Sequence, residues 1–382
     1  MKYIDEFRDR DRATSLIIEI ARVLGRIPLT RDRPLKIMEV CGGHTHSIFR
    51  YGIEGLLPPS LELVHGPGCP VCVLPIGRVD DGLSIAAHPE VIFTTFGDAM
   101  RVPGSHRSLL QAKAEGLDIR MVYSPMDALA LARRHPDREV VFFGLGFETT
   151  MPSTALTILA AAADRVCNFS VFCNHITIVP TLQALLDSPA LELDGFLGPG
   201  HVSAVIGTSP FRFVAERYHR PFVVAGFEPL DVLQAIWMVL LQIEQGRADV
   251  ENQYARVVAT AGSRQALDAI AQVYELREHF EWRGLGSIDR SGIRIRRAFA
   301  AFDAETKFVV PNARVADPPA CQCGDVLKGV LRPQECKMFA TACTPETPLG
   351  ALMVSSEGAC AASYHYAGAR LTEGSGHLRV VR

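Results

Sequence analysis

Leu35-Lys36-Ile37-Met38-Glu39-Val40-Cys41-Gly42-Gly43-His44-Thr45-His46 is a mostly apolar run that stops abruptly at a cysteine, two glycines and two histidines. It reads as a strand that delivers a thiol to a ligand site. Glycine permits the close backbone approach and unusual dihedrals that such a corner needs, and Cys41, His44 and His46 include donors suited to a transition metal. Taken alone, the stretch fits equally well a buried cysteine at a strand end beside two hydrogen-bonded histidines. The segments around it carry the reading further.

From Leu35 onward, short β-rich runs alternate with longer helical ones, the pattern of βαβ units and a mostly parallel sheet. A first series of runs covers 35–40, 61–65, 91–96 and 119–123, and a second covers 139–144, 169–173, 195–197 and 222–225. The second series repeats the first, most plainly where Met121-Val122-Tyr123-Ser124-Pro125-Met126-Asp127-Ala128-Leu129 parallels Val223-Val224-Ala225-Gly226-Phe227-Glu228-Pro229-Leu230-Asp231-Val232-Leu233. The expected fold class is α/β, with two adjacent parallel-sheet domains, 34–135 and 136–248, facing a cleft. A helical segment, 1–33, precedes them, and a mainly helical or irregular domain, 249–382, carries a cysteine group. Ile17, Ile18, Ile20, Ala21 and Leu24 predict an opening helix that stops at Gly25, and helical patterns also run over 230–245 and 254–280.

With 382 residues, 48% of them apolar, the chain can fill two or three ordinary cores. A formal charge of -3 favours neither nucleic acid nor an anionic membrane as partner. The first eight residues place charges where a secretory signal would need an apolar core, and a cytoplasmic location is expected. Ten cysteines in a reducing compartment make a poor disulfide framework, and five of them fall between Cys321 and Cys360. That clustering points to metal or redox chemistry.

Ligands of parallel α/β sheets sit at the carboxyl ends of the strands, where the unusual residues of this chain fall. Cys69-Pro70-Val71-Cys72 follows a predicted strand at the expected start of a helix, whose N-terminus would stabilise a thiolate. A redox pair, a metal pair and two buried structural thiols are the readings it admits. Near the C-terminus, Cys323, Cys336, Cys343 and Cys360 could close an iron-sulfur cluster or a tetrahedral zinc site, and the lack of two tight C-x2-C knuckles favours a cluster. Cys321 and Cys323, if extended, would point to opposite sides, so one of them should reach the cluster, and Cys323 has Gly324 beside it. Glu148, Glu228 and Asp98 could serve as bases, hold a ligand in place or cap the helices that follow. His175 and His201 are turn histidines, open to local hydrogen bonding or catalysis. Cys167 and Cys173 read as structural thiols.

With these residues in view, the sequence resembles the HypD family of hydrogenase maturation proteins. The resemblance spans nearly the whole chain, through 41–46, 66–72, 144–150, 198–201 and 323–360. It implies a scaffold on which the Fe(CN)2CO group of [NiFe] hydrogenases is assembled, together with a small HypC-type chaperone and a HypE-type cyanide donor. Cys41 would ligate the iron, with His44 close by. Cys69 and Cys72 would be the redox pair. Cys323, Cys336, Cys343 and Cys360 would hold a [4Fe-4S] cluster that feeds electrons toward that pair. Glu148, His201 and Glu228 complete the candidate catalytic set. A monomer forming transient complexes is expected. Two competing readings are a cluster-dependent thiol-disulfide reductase acting on a protein disulfide and a zinc-stabilised binding module without redox activity.

Overall fold

The computed structural model describes residues 5–28, 33–188 and 191–371, so the outermost parts of the expected 1–33 and 249–382 segments lie outside the described residues. All eight expected strands form: β1 (Leu35–Glu39), β2 (Leu61–His65), β3 (Val91–Thr95), β4 (Ile119–Met121), β5 (Glu139–Gly146), β6 (Phe169–His175), β7 (Gly195–Pro199) and β8 (Phe222–Ala225). A further strand, β9 (Val250–Asn252), follows them beyond the expected boundary at 248. Apart from β4 and β9, their interiors are buried on both faces, which is why they read as continuous apolar runs instead of alternating ones.

The strands are shared out between two wholly parallel sheets in an order that local pattern does not reveal. One sheet runs β2-β1-β7-β8-β9 and the other β4-β3-β5-β6. The expected boundary at 135/136 therefore does not separate the sheets, because each takes strands from both sides of it. The repeat itself is visible in the topology. Relabelled by position within each repeat, both sheets have the order second-first-third-fourth, and the two repeats have exchanged halves. Parallel pairing requires a crossover but does not say which copy of an equivalent strand is joined.

The opening helix, Arg10–Leu24, packs with Pro229–Glu244 on one face of the first sheet through Ile20, Val23, Leu24, Ile236, Val239 and Leu240. A second buried cluster is continuous from Phe93, Phe143 and Phe172 of one sheet to Phe196 and Phe222 of the other, and on to Cys69, Cys72, Cys323, Cys343 and Cys360. The two sheets and the cysteine-bearing segment thus share a core. The predicted helix over 254–280 is realised only as Arg264–Val273. Beyond it lie two antiparallel pairs, β10 (Tyr274–Leu276) with β13 (Ile293–Ile295) and β11 (His279–Trp282) with β12 (Gly286–Asp289). In β11, Phe280 and Trp282 are buried while His279 and Glu281 are not, a period of two that overrides the helical spacing upstream. Among the described residues, no helix is long and apolar enough to cross a membrane.

The exchange predicts that neither half of the chain folds alone. Residues 1–135 and 136–382, expressed separately, should each give no cooperative thermal transition by circular dichroism, yet co-purify when expressed together. A cooperative transition from the isolated 1–135 fragment would contradict the shared sheets.

Candidate functional site

Cys41 lies at the point of the first sheet where the strand connections diverge, between the ends of β1 and β7. Its extended backbone (φ -147°, ψ 120°) turns the chain from β1 into the helix Gly42–Arg50. The glycines on this corner serve close approach rather than unusual dihedrals. A Cβ on Gly42 would lie 2.6 Å from Glu357 Cβ, and one on Gly68 would lie 2.3 Å from the Cys41 nitrogen. The Gly42 N–H donates to the Gly68 carbonyl at 3.0 Å, which presses the loop after β2 onto the Cys41 corner.

Beneath this corner is a carboxylate with 0% exposure, Glu39. Its Oε2 accepts from the Cys41 N–H at 2.9 Å, while Oε1 accepts from the Thr45 hydroxyl and from His65 Nδ1 at 2.9 Å. The other ring nitrogen of His65 reaches Glu54 at 3.2 Å. Burial by itself would lower the His65 pKa, but the hydrogen bonds to Glu39 and Glu54 outweigh it and raise the pKa to about 9. His65 is therefore an imidazolium held between two carboxylates at neutral pH.

Cys41 Sγ, itself buried, lies 3.9 Å from Nδ1 of the exposed His201. Phe227 stacks on His201 with centroids 3.8 Å apart and on His44 at 4.8 Å, and Ser47 fixes it by donating to its carbonyl at 2.6 Å. His44 is turned toward this stack: Nε2 meets the Ala225 carbonyl at 3.1 Å, and Nδ1 is buried without a partner. His46 instead reaches the Ser356 carbonyl at 3.4 Å and the edge of Tyr366.

The loop 354–358 joins the separate pieces. Arg101 donates to the Val354 carbonyl at 2.7 Å, Asp98 accepts from Ser355 at 2.8 Å, Glu357 abuts Gly42, and a Cβ on Gly358 would lie 2.9 Å from Cys72 Sγ. Strand ends of both sheets and the Cys69–Cys72 turn therefore meet on one loop. Burial, reinforced by the Glu357 and Glu39 charges, pushes the Cys41 thiol up. Cys72 is pushed well up by burial, its hydrogen bond with Cys69 and the Glu357 charge. Glu357 is itself raised by burial and by the Asp98 and Glu39 charges.

Cys69-Pro70-Val71-Cys72 does not open a helix. It forms a turn in which the Cys72 N–H points at Cys69 Sγ (3.3 Å), and the next helix begins only at Ile76. Pro75 accounts for the delay, since the residue before a proline is held out of the helical region. Helix N-terminal stabilisation of a thiolate is accordingly not available here.

A small cavity of about 20 Å³ is lined by Cys321, Cys323, Cys336, Cys343 and Cys360 together with Val326, Met338, Phe339, Leu349 and Met353. The expectation that Cys321 and Cys323 diverge is wrong. Gln322 is bent (φ -102°, ψ 25°), Cys323 starts the helix Cys323–Leu327, and the two sulfurs are 3.1 Å apart. The β11–β12 turn bridges this segment to the Cys69–Cys72 turn: the Arg283 N–H donates to the Val73 carbonyl at 2.8 Å, and Gly284 lies against Gly324. Among the described residues, no three His, Cys, Asp or Glu side chains gather where a single metal ion could bind. The five thiols instead line one small apolar cavity.

The remaining candidates have local partners. Glu148 Oε1 accepts from the Ile178 N–H at 3.1 Å and so caps the helix Ile178–Leu186; Oε2 is buried without a partner, and burial raises the pKa to about 7. Glu228 shares a capping box with Asp231 and pairs with Arg8 at 3.0 Å. His175 is buried 3.5 Å from Cys173 and 3.5 Å from the Thr154 hydroxyl. Cys167 is exposed and contacts a backbone carbonyl. Sequence reasoning assigned no role to Glu39, His65, Phe227 or Glu357. The one available signal was Glu39 itself, a charge inside an apolar strand and immediately before the thiol corner.

Fold and site together describe a multi-thiol α/β protein in which two sheets and a cysteine-lined cavity converge on one loop. The sequence model of HypD, described as the hydrogenase formation hypA family, matches residues 13–367. The hydrogenase maturation factor HypD of Rhodobacter capsulatus is 63% identical over 377 residues, covering 98% of this chain and 100% of the relative. That of Escherichia coli K12 is 55% identical over 366 residues, covering 96% and 98%. The corresponding protein of Cupriavidus necator is 52% identical over 373 residues, covering 96% and 97%. The chain belongs to the HypD family of hydrogenase maturation factors.

Two buried groups set opposite tests of pH. The raised pKa of His65 means that its contribution to stability is complete below about pH 6.5 and is lost as pH rises through about 9. Thermal melts of the wild type should therefore fall between those values relative to His65→Gln, by up to ~3 kcal/mol. Glu148 opposes folding once it must ionise, so Glu148→Gln should leave stability unchanged below pH 4.5 and raise it above about pH 7. Parallel pH profiles for wild type and variant would refute either assignment.

Proposed function

We propose that this chain is the iron-binding, redox-active scaffold on which the Fe(CN)2CO group of [NiFe] hydrogenases is assembled. The observation that carries the reading is the succession of thiols around the loop 354–358: Cys41 next to Gly42, which abuts Glu357, Cys72 against Gly358, and Cys360 two residues beyond. The iron is cargo, taken up at Cys41. Among the described residues no three donors gather on one ion, so on this reading cargo held there takes donors from a partner. A HypC-type chaperone fits that role, and a HypE-type protein would bring cyanide. The exposed His201 beside the buried Cys41 offers both partners a side from which to approach. Such a carrier suits transient complexes and a monomer between them, in the cytoplasm.

Iron binding requires the Cys41 thiol to lose its proton. The nearby Glu39 and Glu357 carboxylates, which disfavour a bare thiolate, favour a cation and so select the loaded state. Releasing cyanide from a thiocyanate-like carrier breaks a carbon-sulfur bond and consumes two electrons. The Cys69/Cys72 dithiol gives up two electrons and two protons in becoming a disulfide. Glu357, against both the Cys41 corner and the dithiol, is placed to receive a proton.

The donor set lining the cavity supports a [4Fe-4S] cluster held by Cys323, Cys336, Cys343 and Cys360. When bound, that group exchanges one electron at a time, which would restore the dithiol in two steps. The β11–β12 turn fixes the cavity segment against the dithiol turn, as such a route requires. A plain thiol-disulfide reductase would have no use for the Cys41 corner, with its buried carboxylate and stacked rings.

Anaerobically purified protein should contain about four irons and matching acid-labile sulfide. Cys336→Ala should lose both, while Cys41→Ala keeps them and abolishes hydrogenase maturation in cells. Zinc in place of iron after anaerobic reconstitution would end the redox reading. Maturation that survives Cys41→Ala would end the scaffold reading and favour the reductase.

A further inference from the structure

Cys321 is the thiol that a four-cysteine cluster leaves over. Its Sγ lies 3.1 Å from Cys323 Sγ, and both line the same cavity. The bend at Gln322 brings them together, and hydrogen bonds from Cys321 N–H to the Pro318 carbonyl (2.8 Å) and from Asp325 N–H to the Gln322 carbonyl (3.1 Å) hold that bend. Gly350 closes over the pair: a Cβ there would lie 2.4 Å from each sulfur, so glycine leaves the space both sulfurs occupy. A disulfide has its sulfurs about 2.05 Å apart. Closing this one moves them together by roughly 1 Å.

We propose that Cys321 and Cys323 form a reversible disulfide when the cavity carries no metal group, and that reduction of this bond opens the cavity for loading. The first statement stands on the sulfur geometry alone, whereas the second rests on the cluster reading given above. With oxidised glutathione as oxidant, one cysteine thiolate attacks and releases a glutathione thiol, and the other cysteine displaces the second. One Sγ–Sγ bond forms and one glutathione S–S bond breaks. The cysteine pair loses two electrons to glutathione, and its two thiol protons end on the two glutathione thiols. The closed pair resists oxidation to sulfinic acid and removes a thiolate from a cavity that would otherwise collect zinc.

The test uses full-length protein stripped of metal by a chelator under reductant, desalted without air, exposed to oxidised glutathione, alkylated and digested with trypsin. Cleavage after Arg314 and Lys328 yields peptide 315–328, whose cysteines are Cys321 and Cys323. The expected product is this peptide two hydrogens lighter than the dithiol and carrying no alkyl group. A dithiol, a glutathione adduct or a link to another cysteine peptide as the main product would overturn the pair. Oxidised protein should also take up ferrous iron and sulfide roughly tenfold less than reduced protein, with uptake restored by dithiothreitol. Equal uptake by both forms would overturn the gating step. Failure of the reduced protein to bind iron and sulfide at all would instead overturn the cluster reading, leaving the disulfide judged by its peptide.

Discussion

The buried carboxylate of Glu39 is the constraint on which the site depends. An ionised group without solvent contact costs several kcal/mol unless donors surround it, and losing one partner of such a group typically costs about 3–5 kcal/mol. Its donors come from different segments: the Cys41 backbone, the Thr45 hydroxyl in the next helix and His65 at the end of β2. Satisfying this one charge therefore fixes the thiol corner, the start of the helix and the register of two strands together. The two carboxylates, Glu39 and Glu54, favour His65 as a cation.

The exchanged topology explains why chemistry collects at a junction. Each sheet brings its strand ends to the loop 354–358, and neither sheet holds a complete site. The first sheet contributes Cys41 and His201 at its point of divergence. At the corresponding point of the second sheet, the end of β3 contributes Asp98 to Ser355, and the end of β5 supplies Phe147, packed near Trp282, and Glu148 as a cap. The repeat was thus built from equivalent halves, but only one of the two crevices carries a thiol.

The strands other than β4 and β9 were legible because strands buried on both faces leave apolar runs bounded by turn residues. Their pairing was not, since equivalent strands of a repeat present equivalent faces and nothing local distinguishes one neighbour from the other. The failed helix over 254–280 came from extending a true period of 3.6 in Arg264–Val273 into β10 and β11, where the burial period is two. For the site, the thiols and His201 were visible as residue types. The two errors, a helix at Cys69 and divergent sulfurs at Cys321 and Cys323, both came from assigning a regular backbone to a turn, where the direction of a side chain depends on dihedrals that no periodicity reports. Glu39 and His65 stayed silent because a single buried charge resembles a surface residue until its partners are known.

The electrostatics of the thiols follows from the same architecture. Burial and then carboxylates push the Cys41 thiol up, whereas Cys72 is pushed up by burial, then by Cys69 and then by Glu357, so neutral sulfur is favoured beside negative charge. A bound cation inverts that balance: it stabilises the thiolate directly and is itself attracted by the carboxylates that opposed ionisation. On the proposed reading, proton release is thereby tied to arrival of iron at Cys41. At the dithiol, Cys72 is held toward its neutral form. One set of acidic neighbours, Glu39 and Glu357, can in this way hold cargo at one thiol while keeping the next from ionising prematurely.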